Sequence, residues 1–476
     1  MKKYLSLLII IFILGSSVKV YAEEKNYNNE LKTYEFTLSD YYKYNDTKLG
    51  IETYSMQKSE IKKALYNGLT NLNTSINVTG YIEDLSYNEE STNAIFALYF
   101  DVLNENPEIF YASNQVSISI GLSADRSKIT YLAFVINYLY DNNTINSMKN
   151  KLNEKIAYIQ SNYLNGVTDE LEKEYIIHDY IIKNATYDKE NYDKNTIPNE
   201  SYTAYGALVN GVAVCEGYAK AAVLLFNKAN IESGIITSSA MNHAWNYVKI
   251  NNTYYHLDLT WDDPVPETNK VVYRYFNLND TEMLRDHYGW NQSLYPSFTS
   301  YSFSMLRSLV YDYGNNISRI GNKLYYIKDT NQYLYQTDLY GKNSVAKVNL
   351  GAAYMPIPYK NNIIYIDKLN ITDSIKAYNI NTNSKISLYN DSGLISRIYE
   401  KDDKLYIYGA NGLKTIDLNI KGDIDGNLLV DIYDLSSMAL KYNVDSTSSN
   451  WNKSYDLNND NIIDIFDLVI LSKNLS

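Results

Sequence analysis

Apolar and polar positions change period several times along the chain. Ser59 to Leu72 and Asn93 to Leu103 repeat apolar residues at three- and four-residue spacing, which predicts two helices. Asn106 to Tyr111 reads as a loop that leads into a strand, and alternating runs at Val116–Ile120 and Ile129–Ile136 predict strands. Residues 23–150 are thus expected to form an α+β accessory region, and no chemistry stands out in them. Within 151–300, Leu171 to Asn184 predicts a helix. A second helix starts near Cys215, where Tyr218, Ala222, Leu225 and Ala229 share a face. Two strands follow as a hairpin, Ala244–Ile250 and Tyr254–Trp261. Within 301–419 one strand pattern recurs, starting at Asn322, Asn361 and Asp403, with offsets of 39 and 42 residues. That period is typical of propeller blades, but three copies are too few to close a usual ring. A partial, propeller-like array or stacked sheets is expected, serving as a binding surface or as a rigid spacer.

The N-terminus and the charge balance narrow the class. Lys2 and Lys3 precede the apolar run Leu5–Leu14, and the stretch ends at Val20-Tyr21-Ala22. This predicts a signal peptide over residues 1–22, with an uncleaved anchor as the alternative. The run is too short for a stable membrane span, and no later segment is apolar enough for one. The mature chain is therefore expected to be secreted, extracellular or held at the cell surface through a partner. A net charge of −12 argues against nucleic acid as a partner. The 51 tyrosines read as codon bias. Cys215 is the single cysteine, so an exported chain has no internal disulfide to make with it.

The surroundings of Cys215 suggest a nucleophile. A loop containing Gly211 leads to Cys215 in the first turn of its helix, where unpaired amides and the helix dipole favour a thiolate and an oxyanion. The four histidines are His178, His243, His256 and His287. Asn251-Asn252 suits a two-residue hairpin turn, because Asn tolerates positive φ. With that turn Ile250 faces Thr253 and Trp245 faces Asp258. His243 and Asp258 then become diagonal neighbours on one face, about 7–8 Å apart at Cα. A base and the carboxylate that orients it are thus placed together. His256 shares the face and is the rival base. His178 is expected to make a structural hydrogen bond, Asp262 and Asp263 to serve in turns and caps, and Tyr205 to pack.

Four blocks then resemble the bacterial transglutaminase-like family: Ala204–Leu208, Val214–Ala219, His243–Asn246 and Asp258–Pro264. Asn106–Tyr111 is similar to a segment that these bacterial proteins carry upstream. The resemblance implies a papain-like α+β core over 151–300, with Cys215, His243 and Asp258 as its catalytic triad. It implies attack on an amide carbonyl of a protein or peptide through a thioester, followed by hydrolysis or acyl transfer. Because the family also contains inactive members, a non-catalytic extracellular binding or assembly protein is the alternative.

Residues 420–476 carry two twelve-residue runs, Asp423–Asp434 and Asp456–Asp467. Oxygen side chains stand at positions 1, 3, 5, 9 and 12 of each: Asp423, Asp425, Asn427, Asp431 and Asp434, then Asp456, Asn458, Asp460, Asp464 and Asp467. Backbone carbonyls of Leu429 and Ile462 fill position 7. These are the ligand positions of EF-hand-type loops, so structural Ca2+ is the expected cofactor. Position 6, usually Gly, is Leu428 and Asn461, and Leu takes a left-handed conformation only at a cost. Paired loops of this kind, each followed by one helix, resemble a type I dockerin. That resemblance implies a cohesin-containing scaffold as partner, met by Ile432-Tyr433 and Ile465-Phe466.

Overall fold

The computed structural model describes residues 21–23, 31–48, 56–265, 270–313, 316–369 and 372–475. The signal-peptide expectation for residues 1–22 therefore lies, apart from its last two residues, outside the described residues. The chain divides into two compact units. One comprises Met1–Val265 with Tyr275–Tyr301, the other Pro266–Arg274 with Ser302–Ser476. No helix among the described residues is long and apolar enough to cross a membrane.

The first unit begins with an antiparallel sheet. Leu31–Thr37 and Ile129–Tyr138 flank the strand Ala112–Leu122, with Ser75–Asn77 beyond and Tyr21–Glu23 at the opposite edge. Helix Glu89–Glu105 starts where the Asn88 side chain accepts the Ser91 amide. It buries Ile95, Phe96, Leu98, Tyr99 and Phe100 together, so it is apolar on nearly every side. A helix spaced as amphipathic becomes a core helix because other elements cover its remaining faces. Helix Leu38–Thr47, which the periodicity does not reveal, begins with a capping box between Thr37 and Asp40.

A three-stranded antiparallel sheet follows, with His243–Ile250 between Ser233–Ser238 and Thr253–Leu257. The turn has the expected register: Thr253 pairs with Ile250, and Asn251 and Asn252 have φ of 48° and 62°. The second strand is shorter than expected. It ends at Leu257, because Asp258 caps the short helix Leu259–Asp262 by accepting the amides of Thr260 and Trp261. Helix Cys215–Lys228 packs on this sheet and on helix Glu170–Asn184. The Asn246 side chain ties strand to helix by donating to the carbonyls of Ala219 and Gly234 at 3.0 and 3.2 Å.

The second unit is β-rich. Three open antiparallel sheets follow one another over Ile317–Asn349, Ala353–Asn390 and Ile395–Asp417. The three repeats fall on the second strand of each sheet: Lys323–Lys328, Asn362–Leu369 and Lys404–Gly409. Equivalent strands thus recur at blade-like spacing in successive sheets, and no closed propeller forms among the described residues. Beyond them, helices Ile432–Ala439 and Ile465–Ser472 pack around Val430, Met438, Leu457, Ile463 and Leu471. Val444–Asp445, which lies between the first helix and the second loop, pairs with Ile462–Ile463 of that loop.

Candidate active site

Cys215 is the first residue of its helix and is partly exposed. The Val214 carbonyl takes the amides of Gly217 and Tyr218. Helix geometry leaves those of Cys215 and Glu216 without an intrahelical acceptor. Gly217 is required by close approach: a Cβ there would stand 2.5 Å from the Ser201 carbonyl oxygen and 3.1 Å from that of Thr203. The helix start is therefore seated flush on the 201–203 backbone. It is held there by the Val214 amide donating to Ser201 O at 2.9 Å.

His243, nearly buried, places Nε2 2.7 Å from Asp258 Oδ2. Cys215 stands near enough to act on the charge of the ring. With Nε2 occupied by Asp258, Nδ1 is the ring nitrogen left for the sulfur. Burial opposes the imidazolium, but the Asp258 charge and hydrogen bond, together with Cys215, outweigh it and push His243 up to about 10. Asp258 is itself fully buried. Burial would raise it, yet His243 and His287 hold it below the ordinary carboxylate range. The three residues placed by hairpin parity and helix start are thus brought together, His243 and Asp258 by a hydrogen bond and Cys215 beside the ring.

The rival base is placed elsewhere. His256 is buried, with Nδ1 accepting from Trp245 Nε1 at 3.2 Å and Nε2 on Asp280 at 3.1 Å. Burial lowers its proton affinity. His178 makes the structural contacts expected of it, to Asp179 and Asp262 at 3.2 Å each. Burial opposes its charge, but these two carboxylates raise it to about 9. Asp262 and Asp263 end the short helix Leu259–Asp262, Asp263 at its C-cap, and both are also buried acceptors. Asp262 also takes the Tyr275 amide at 2.8 Å, and Asp263 takes the Tyr218 hydroxyl. Both carboxylates brace the turn that follows Asp258. Tyr205 stacks on Phe110 with ring centroids 4.9 Å apart.

Cys215 opens onto a cleft of about 490 Å³. Tyr187, Tyr192 and Tyr202 line it beside the sulfur, with Asn199 and Asn242. Burial, then the charge of nearby Cys215, raises Tyr187 and Tyr202. Part of the lining comes from the N-terminal region: Leu38, Ser39, Asn114 and Gln115. That region carries no motif, yet it supplies part of the cleft. It is anchored there by Tyr42 donating to Glu216 and by Asp46 accepting the Ser239 amide at 2.9 Å. Glu216, the acid in the lining, is ion-paired with Lys220 at 3.0 Å. His287, unremarkable in sequence, is the other residue that pattern reading misses: its Nε2 lies 2.9 Å from Asp258 Oδ2.

In the C-terminal loops the two position-6 residues have matching left-handed backbones, Leu428 at φ 69° and Asn461 at φ 70°. Asp434 Oδ1 accepts the Ile424 amide at 2.7 Å, and Asp467 Oδ1 accepts the Leu457 amide at 2.7 Å. In the first loop, carboxylate oxygens of Asp423, Asp425 and Asp434 lie within 4.8 Å of one another. Burial and the charges of Asp434 and Asp425 push Asp423 up to about 6, against the pull of two backbone amides. Such crowding of anionic oxygens suits a hard divalent cation. Leu428 is buried in the core of the second and third sheets with Ile364, Ile398 and Leu418. That burial offsets the cost of its backbone. Asn362 of the second sheet also donates to the Gly426 carbonyl at 2.6 Å.

Comparison with curated proteins gave no significant match. Among solved structures, a nidogen/laminin complex is 12% identical with a TM-score of 0.20, over 21% of this chain and 43% of that one. A TGase crystal structure is 13% identical with a TM-score of 0.21, over 28% and 42%. The chain thus spans less than half the length of either. Residues 157–259, which hold Cys215, His243 and Asp258, match the family model described as the Transglutaminase-like superfamily, and the chain carries a domain of that superfamily.

Proposed function

We propose that this chain is an exported cysteine enzyme that acts on amide bonds of proteins or peptides through a Cys215 thioester. The observation that carries this reading is the His243–Asp258 hydrogen bond beside Cys215, with the sulfur at a cleft. The Cys215 thiolate attacks the carbonyl carbon, and the amides of Cys215 and Glu216 donate to the oxyanion. The imidazolium of His243 gives its proton to the departing ammonia or amine, and the thioester remains. His243 then takes a proton from the second nucleophile as that nucleophile attacks, the C–S bond breaks, and the thiolate–imidazolium pair is restored. Water yields an acid; a lysine amine yields an isopeptide bond. Asp258 keeps the ring in the required tautomer and stabilises its charge. Hydrolysis is favoured, because half of the cleft wall is polar tyrosine and carboxamide and admits water.

The test is a peptide library incubated with and without a primary amine and followed by mass spectrometry. Cleavage, loss of ammonia or amine incorporation is expected, and each should vanish in Cys215→Ala. Turnover that survives in that variant refutes the reading.

The proposal extends to recruitment. The two C-terminal loops would hold Ca2+ through the side-chain oxygens at positions 1, 3, 5, 9 and 12 and the carbonyls of Leu429 and Ile462. A calcium-folded, dockerin-like module then presents Ile432-Tyr433 and Ile465-Phe466 to a cohesin module. All four side chains are at least half exposed, at 61%, 70%, 51% and 63%. Exposed apolar pairs of this size call for a covering partner. Pull-down on an immobilised cohesin with calcium, and its loss in EDTA, tests this; capture indifferent to EDTA counts against it.

A further inference from the structure

We infer that His287 is a positioning residue for the Cys215–His243 pair and acts by holding the Asp258 carboxylate. The inference rests on the cysteine-enzyme reading above and adds a fourth residue to its site.

Asp258 is held from both sides. Its Oδ1 accepts the amides of Thr260 and Trp261 at 2.9 and 3.2 Å. Its Oδ2 meets two imidazoles, His243 at 2.7 Å and His287 at 2.9 Å. A carboxylate turning about its last bond would have to break the His287 contact before it could leave His243. The amides alone fix one oxygen; His287 fixes the other.

His287 is itself tightly held. It is fully buried, and its Nδ1 lies 2.8 Å from Asp286 Oδ1. Asp286 Oδ2 accepts the Tyr275 hydroxyl at 2.7 Å. The ring stands among Trp261, Trp245 and Tyr275, with centroids 4.3, 5.1 and 5.4 Å away. The backbone is pinned too. The His287 amide donates to Met283 O at 3.0 Å, and the next carbonyl, of Tyr288, accepts the Ser238 hydroxyl at 2.7 Å. Ser238 pairs with His243 across the sheet, so the support returns to the strand that carries the base. The ionisable groups facing the ring are Asp258, Asp286, Tyr275 and His243, and His256 interacts with its charge. An aromatic residue would fill this space equally well. What only a hydrogen-bonding side chain supplies is the second bond to Oδ2.

The experiment measures the alkylation rate of Cys215 by iodoacetamide across pH 4–10 in the full-length protein, which needs no substrate. Wild type should be alkylated at pH 6 faster than a free thiol in an unstructured peptide. His287→Phe should lower the rate at pH 6 by about tenfold, the equivalent of one charge-assisted hydrogen bond. Circular dichroism checks that the variant is folded. His287→Gln, whose amide can reach Asp258, should restore most of the rate, and the shorter His287→Asn should not. If His287→Phe fails to fold, the Gln and Asn variants carry the same comparison. A folded His287→Phe with the wild-type profile, or one more reactive at pH 6, overturns the inference. Wild type that reacts only at ordinary thiol pH overturns the cysteine-enzyme reading instead, so the two failures are distinct.

Discussion

Glu174→Gln should make the first unit more stable at pH 8 and flatten its response to pH. Glu174 lies on helix Glu170–Asn184 and is fully buried. Its Oε2 accepts the Asn277 side-chain amide at 2.8 Å, while Oε1 has no hydrogen-bond partner. Burial pushes the carboxyl up from 4.5 to about 8, against the pull of Asn277 and of the His178 charge. The folded state therefore holds a proton that the unfolded chain releases near 4.5. Stability from this group is full below pH 4.5 and is lost as pH rises towards about 8. Those roughly 3.5 pH units, at ~1.36 kcal/mol each, set a ceiling of about 5 kcal/mol. Glutamine keeps the volume and the acceptor for Asn277 but adds a buried N–H, which costs about 1–3 kcal/mol at every pH. The variant should thus be slightly weaker than wild type at pH 5 and stronger at pH 8. Urea unfolding followed by tryptophan fluorescence at the two pH values measures this. Parallel pH responses in wild type and variant would refute the reasoning, because only the difference between them isolates Glu174.

The other expectations concern the site and the loops. Asp258→Asn removes the charge that holds His243 protonated. Alkylation of Cys215 at pH 6 should then fall about tenfold or more, because the charge-assisted hydrogen bond that favours the imidazolium beside the sulfur is lost. His243 and His178 are raised to about 10 and about 9, so their contributions are complete below pH 6.5 and are lost as pH rises through those values. The melting temperature of Glu174→Gln should therefore still decline between pH 7 and 10, and a rise would contradict both assignments. Leu428→Ala should destabilise the second unit by about 2–5 kcal/mol in urea, as for other buried leucines, because the side chain fills the sheet core. EDTA should lower the thermal midpoint of the second unit and leave that of the first unchanged; a melt indifferent to chelation argues against calcium in these loops.

Much of the candidate site is legible in the chain because it is local. Two asparagines that accept positive φ define a two-residue turn. The two-residue period of a strand then carries His243 and Asp258 to one face, with no knowledge of the rest of the fold. The helix start at Cys215, the recurring second strand of three sheets and the twelve-residue spacing of the C-terminal oxygens are local in the same sense. Long-range packing decides the remainder. His287 reaches Asp258 from 29 residues downstream with no periodic signal. Leu38, Ser39, Asn114 and Gln115 form a cleft wall only because a separate sheet is folded beside the Cys215 helix. Leu428 looks like a poor substitute for glycine until the sheet core that surrounds it is known. Period and turn chemistry describe how neighbours along the chain share a face; which distant face closes on them depends on the summed burial of many side chains, which no single segment contains.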